Sequence, residues 1–509
     1  MSSRCSSHFL PAVIALTGFL VATWLTSQIA QAATITVTNT LDGGIGSLRQ
    51  AVLSASDSDS IIFDPSVFSV PQTITLSGGV IVISHSITVD GAYGDVITPT
   101  LSGSTTQQIM VIQVNRRVTL NHLAFVDGYD PAVWPDGSGG AIQNMGVLTL
   151  THTEFSNNYS PNDAGALLNY GSLYASDVGF YGNHSDLYGG AIYNQGLSAV
   201  ITGAVFLQNQ AAEGGGIYNL DSDITIIGAT FTTNFGTGGG IANIGNSHAK
   251  IHRSTFHDNR SSQGGAIRSS GDTASLYIEH CLFTSNTGFL GGAIRSETSA
   301  GQVTISSTTF TENIAYTSGG AIETVGGLLA TLINDTFIKN YANGANNDQG
   351  GGALSIGSNG NVSILNSTIV SNVAGLNPTS SGLLVVAGTV NIKNSIVAFN
   401  NHPSSDVNVL MVYGGVITSL GNNMTNGTGP FTTTSDLRAT TPFLTPLGNY
   451  GGAVPTLLLQ LHSPGINAGN NAACPPTDAR GVHRPQNGQC DIGATELAIR
   501  TIFLPRVTR

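Results

Sequence analysis

The chain has 509 residues; 17 are Lys or Arg and 29 are Asp or Glu, so charged side chains make up 9% and the formal net charge is −12. Ordinary soluble proteins carry about 25% charged residues; the Glu/Lys/Arg-rich faces of coiled coils are therefore missing. The three lysines (Lys250, Lys339 and Lys393) leave no basic footprint for nucleic acid. A hydrophobic content of 40% suffices to bury a core, and 64 glycines without a Gly-X-Y period exclude collagen. A β-rich chain remains, its surface made polar by Asn, Ser and Thr.

Residues 1–32 read as a secretory signal. Arg4 is the positive flank, Leu10 to Leu25 is an apolar run, and Ala30-Gln31-Ala32 is a small-x-small site, which predicts cleavage after Ala32. The run is shorter than the ~20 residues that cross a bilayer. No apolar stretch of that length follows, so the mature chain is expected outside the cell or at its surface, with no transmembrane segment. Next comes a 33–79 unit. In Gly46-Ser47-Leu48-Arg49-Gln50-Ala51-Val52, Leu48, Ala51, Val52 and Ala55 fall at i, i+3, i+4 and i+7. That spacing predicts a short amphipathic helix, placed to lid an exposed core end.

Residues 80–420 are built on a repeat of about 25 residues. Gly-Gly-Ala-Ile or a variant of it puts an apolar residue at Ile142, Leu167, Ile192, Ile217, Ile241, Ile267, Ile294, Ile322, Leu354 and Leu384. In phase with it, Phe-x-x-Asn recurs from Phe155–Asn158 to Phe337–Asn340, with degenerate copies at Ile369–Asn372 and Val397–Asn400. Short alternating segments such as Val147–Thr151, Asn361–Leu365 and Thr389–Ile392 separate the motifs. Such a unit is one coil of a β-solenoid, and parallel crossovers favour the right hand. The predicted fold is an all-β, right-handed parallel β-helix with an N-terminal capping helix and an irregular C-terminal cap.

Stacked coils align equivalent residues. An Ile/Leu ladder fills the core, the Phe rings stack, and the Phe-x-x-Asn amides bond along the axis. A second polar ladder, Asn144, Asn169, Asn194, Asn219 and Asn243, then Ser269, Ser296 and Thr324, follows the apolar position by two. GGAI and FxxN alternating in phase resembles the repeat of the chlamydial polymorphic outer membrane proteins and related β-helix surface proteins. The Gly46–Val52 segment is similar to the CSLREA-type N-terminal motif of bacterial β-helix surface proteins, with Gly46 at its Cys position. Both resemblances imply an exported surface or adhesin-like protein.

Residues 421–497 carry Pro446–Gly452, Ser463–Gly469, Thr477–Pro485 and Cys490–Glu496. That series resembles the choice-of-anchor Q domain of exported bacterial proteins. Asp478, Arg480, Arg484, Asp491 and Glu496 are expected to form an internal ion-pair network. Cys474 and Cys490 are expected to form a disulfide, and Cys281 to be a buried small residue. Residues 498–509 are a short tail.

Two function classes follow. The first is a non-catalytic, monomeric surface protein contacting a polysaccharide or cell-surface glycan. The outward position between the two ladders reads Gln143, Leu168, Tyr193, Tyr218, Ala242, Arg268, Arg295, Glu323 and Ser355. Stacked tyrosines beside guanidinium donors suit a glycan, although the same residues also suit a surface stripe in which Glu323 and Glu297 relieve the Arg/Arg repulsion. A second candidate is the long corner after Phe125, with Tyr129 and Trp134 as ligand contacts; Asp127, Asp130 and Asp136 there offer a weak calcium site, and no other cofactor or metal is expected. The alternative class is a polysaccharide lyase or glycoside hydrolase, with Arg268, Arg295 and Glu323 as its first catalytic candidates.

Overall fold

A computed structural model describes residues 32–498, apart from 95, 98, 131–138, 328, 347, 376–381 and 401–407. The signal segment, Trp134, Asp136 and the tail from residue 499 lie outside the described residues.

Each coil contributes one strand to each of three long parallel sheets, as in Ile192–Asn194, Ser198–Thr202 and Val205–Leu207. We call these the GGAI sheet, the long-strand sheet and the Phe sheet. Among the described residues they hold 13, 15 and 13 strands, and a narrower nine-stranded sheet (Gln210–Glu213 in the same coil) closes the corner back to GGAI. This is a right-handed parallel β-helix. At about 4.8 Å per strand, 13 strands make a rod about 60 Å long. The alternating segments are strands as expected, and Val147–Thr151 and Asn361–Leu365 bury every second side chain.

Three kinds of column hold the coils in register. Nine phenylalanines from Phe125 to Phe337 are fully buried, and consecutive rings stack at 4.5–5.0 Å. Each such pair adds about 0.5–1.5 kcal/mol beyond burial. The asparagines run from Asn158 to Asn400. Asn234 is representative: its amide donates to Asn259 Oδ1 at 2.9 Å and to the Phe206 carbonyl at 2.9 Å, while its Oδ1 accepts from the backbone and amide nitrogens of Asn209. Every polar atom of a buried side chain is thereby paired, where one left unpaired costs about 1–3 kcal/mol. The second ladder runs Asn144 to Asn169 to Asn194 to Asn219 to Asn243 at 2.6–2.9 Å, and Asn243 then donates to Ser269 Oγ at 3.3 Å. Shorter side chains stop the amide chain there: Ser296 Oγ and Thr324 Oγ1 are buried without a protein partner.

A third column, two residues before each Phe-type position, was not read from the sequence. The backbone N–H of Ala229 donates to Ser254 Oγ, that of Ser254 to Cys281 Sγ, that of Cys281 to Thr308 Oγ1, that of Thr308 to Asp335 Oδ1 and that of Asp335 to Ser367 Oγ. Cys281 is buried as expected, yet it also accepts a hydrogen bond, and burial pushes its thiol up to about 12.

The ends differ. The helix Leu48–Ser54 is capped by Ser47, whose side chain accepts from Gln50 N, and it buries Leu48, Ala51 and Val52 against the first coil. A second short helix, Pro65–Phe68, adds buried Phe68 and has no repeat signal in the sequence. At the other end Phe431 closes the core. The chain then turns back along the rod: Leu457, Leu459 and Ile492 pack on Ile338, Val370 and Ile396 of the Phe sheet. Thr336 and Thr456 share a hydrogen bond of 2.9 Å, and Ala494 N donates to Thr368 Oγ1. The irregular cap is therefore also a lateral cover over the last four Phe-sheet strands.

Candidate functional site

The outward column of the GGAI sheet is in register, as the periodicity requires: Tyr193 pairs with Tyr218, Ala242 with Arg268, Arg268 with Arg295, and Arg295 with Glu323. Tyr193 and Tyr218 stack at 5.3 Å. Their expected exposure is corrected: each is only 6% exposed. The corner preceding each GGAI strand folds flat over this column. Gly189 and Gly214 hold φ of +66° and +64°, and a Cβ on either would lie 2.3–2.4 Å from the carbonyl oxygen of Ile192 or Ile217. Tyr188, on that corner, covers Tyr218 at 4.6 Å. Leu168, Ala242 and Ala164 complete an apolar layer outside the main core. Burial drives both tyrosine hydroxyls far above their ordinary pKa.

The charged part of the column is closed as well. Arg268 reaches Glu213 at 3.3 Å and Glu297 at 3.2 Å; Arg295 pairs with Glu297 and, through Nε, lies 3.3 Å from Glu323 Oε2. That last contact is an ion pair without hydrogen-bond geometry, and it leaves both atoms without a hydrogen-bond partner. Burial raises Glu323 to about 7; Arg295 opposes the shift and Glu297 adds to it. Two guanidiniums meet three carboxylates here, so both arginines are engaged within the protein.

At the C-terminal cover, Arg484 Nη1 meets Glu496 Oε2 at 3.1 Å, Arg480 Nη2 meets Asp478 Oδ2 at 2.7 Å, and Asp491 accepts from the backbone of Asn467 and Leu497. The side chains of Arg484 and Glu496 are almost wholly buried. The five residues form one internal network, and the disulfide Cys474–Cys490 closes the loop beside it.

At the long corner, Tyr129 stacks on Tyr159 at 5.7 Å, and Tyr159 Oη donates to Asp186 at 2.9 Å. Asp130 is buried and faces Asp163, whose carboxyl is raised by burial and by Asp130. Among the described residues no three His, Cys, Asp or Glu side chains converge as metal ligands; Trp134 and Asp136 lie outside them.

A groove of about 280 Å³, not expected from the sequence, lies on the uncovered part of the Phe sheet, beside the turns that lead in from the long-strand sheet. Tyr181 leans back along its strand, and its phenol end occupies the space a Cβ on Gly179 would take. Glu154 flanks it from the neighbouring strand, in register with Gly179, and Val205 from the other side. At the turn, His122 and His152 stack at 4.7 Å with ring planes 9° apart, and His152 Nε2 lies 3.9 Å from Asp177. His122, His152 and Asp177 occupy one left-handed turn position in successive coils, with φ of 51°, 47° and 54°. His and Asp tolerate that conformation better than most residues. That shared turn position was a signal available in the sequence.

Residues 180–195 and 307–324 match the Chlamydia polymorphic membrane protein repeat. No curated protein matches the chain. Among solved structures, the crystal structure of pectate lyase Pel9A is similar over 92% of this chain and 98% of that one, at 13% identity and a TM-score of 0.29.

Proposed function

We propose that this chain is an exported, non-catalytic, adhesin-like surface protein that contacts glycans through the side of its rod. The observation that carries this reading is the in-phase GGAI/FxxN coil, two stretches of which match the polymorphic membrane protein repeat. The ladders make a stiff rod from uncharged groups, and its lateral faces present side chains at a fixed spacing along the axis. The ion pairs of Arg268, Arg295 and Glu323 favour a structural role for those residues, and we assign the contact surface to another face of the rod.

Labelling intact source cells with an antibody to the protein, followed by external protease, tests this. The epitope is expected to be reachable and to be lost on shaving; an epitope protected until lysis contradicts the surface reading. Incubation of the mature chain with uronate and neutral glycans is expected to release neither unsaturated nor new reducing ends. Release of either defeats the non-catalytic part.

A further inference from the structure

We infer that the groove at Tyr181 is a subsite for one neutral or amino-sugar ring of a polysaccharide. It rests on the glycan-contact reading above and gives it an address.

Four features converge. The groove, about 280 Å³, lies at the lower end of ordinary small-ligand pockets. Its floor is the phenol of Tyr181 over Gly179, with Val205 beside it, an apolar surface for the C–H face of a pyranose. Glu154 and Asp177 are both exposed at the rim, and carboxylates accept hydrogen bonds from paired hydroxyls or an ammonium. Stacking fixes the rings of His122 and His152 along one side, and His122 Nδ1 is enclosed without a protein partner. No Lys or Arg lines the groove, so its charge disfavours uronates, sialic acids and phosphates while leaving neutral and amino sugars.

The same sheet supplies an internal contrast. Thr309, Thr336, Thr368 and Ile396 occupy the position of Glu154 and Gly179 in later coils, and there the C-terminal segment buries them. The groove lies on the stretch that this segment leaves open.

The test is isothermal titration of the mature full chain with cellohexaose, a glucosamine hexamer and hexagalacturonate. Binding of cellohexaose or the glucosamine hexamer is expected, with hexagalacturonate at least tenfold weaker. Tyr181→Ala, and separately the double variant Glu154→Gln/Asp177→Asn, should weaken binding at least tenfold. Val205→Trp, which fills the groove while keeping every polar group, should do the same. Tyr174→Ala on the adjacent sheet should bind like wild type, and circular dichroism with a thermal midpoint reports folding of each variant. Binding untouched by all three groove changes overturns the subsite while leaving the surface reading intact. Preference for hexagalacturonate, or binding of no probe by the wild type, also overturns it. An epitope protected from external protease until lysis fails the broader reading separately.

Discussion

The outward column of the GGAI sheet has two halves on one backbone. From Leu168 to Ala242 it is apolar and aromatic; from Arg268 to Glu323 it is an ion-pair network. Tyr193 and Tyr218 are buried in the first half, whereas in the second Glu323 is buried and Arg268, Arg295 and Glu297 are only partly covered. The aromatic half gains from transfer out of water and ring stacking. The charged half must offset the partial desolvation of two guanidiniums and three carboxyls by pairing them, and the unpartnered atoms of Arg295 and Glu323 show that it does so incompletely.

The largest way to break this contrast is Arg295→Leu, which strips Glu297 and Glu323 of their shared counter-ion. Breaking a buried pair in this way costs about 3–5 kcal/mol, read by denaturant unfolding at pH 8. The loss should shrink at pH 5, where Glu323 is protonated. Next comes the pH course of the wild type. Burial lifts Glu323 from 4.5 to about 7 in the folded chain. A carboxyl raised in this way binds its proton more tightly when folded. Its contribution is fully present below pH 4.5 and is lost as pH rises through 7, to a total of about 3 kcal/mol. Subtracting the Glu323→Gln curve from the wild-type curve should isolate that slope; parallel curves would contradict the assignment. The smallest effect belongs to the aromatic half. Tyr193→Phe removes one hydrogen bond, to Gln195 at 3.3 Å, and should cost no more than about 1 kcal/mol, equally at pH 5 and pH 8.

What the sequence made legible was whatever repeats. The Phe rings, both Asn ladders and the Ile/Leu core recur every 25 or so residues and lie in the predicted columns, except that the core ladder ends at Leu383 and not at Leu384: Leu383 pairs with Leu354, and Leu384 continues the outward column beside Ser355. The Ser254–Cys281–Thr308–Asp335 column recurs equally, but its identity changes from hydroxyl to thiol to carboxylate. Its common feature is a small acceptor two residues before Phe, which residue type alone conceals. The burial of Tyr193 and Tyr218 was not legible, because strand alternation places them outward and their cover comes from outside the strand, from Tyr188 on the corner and Tyr170 beyond the neighbouring strand. Of the groove, the repeat marked the turn position of its two histidines and Asp177 but not its floor. Glu154, Gly179, Tyr181 and Val205 come from three Phe-sheet strands and differ in type from coil to coil, while His122, His152 and Asp177 come from turns that lead into Phe-sheet strands. The lateral docking of the C-terminal segment joins residues more than 100 positions apart, such as Thr336 with Thr456, and no local pattern encodes it.

Equivalent residues of successive coils stand in line. Thr149 and Ser363 belong to one column of the long-strand sheet, eight register steps apart. Nitroxides attached at Thr149→Cys and Ser363→Cys, with the distance read by double electron–electron resonance, measure that column directly. One narrow distribution is expected, centred at ~38 Å, eight steps of about 4.8 Å each. A broad distribution, or one centred beyond 50 Å, would contradict that alignment.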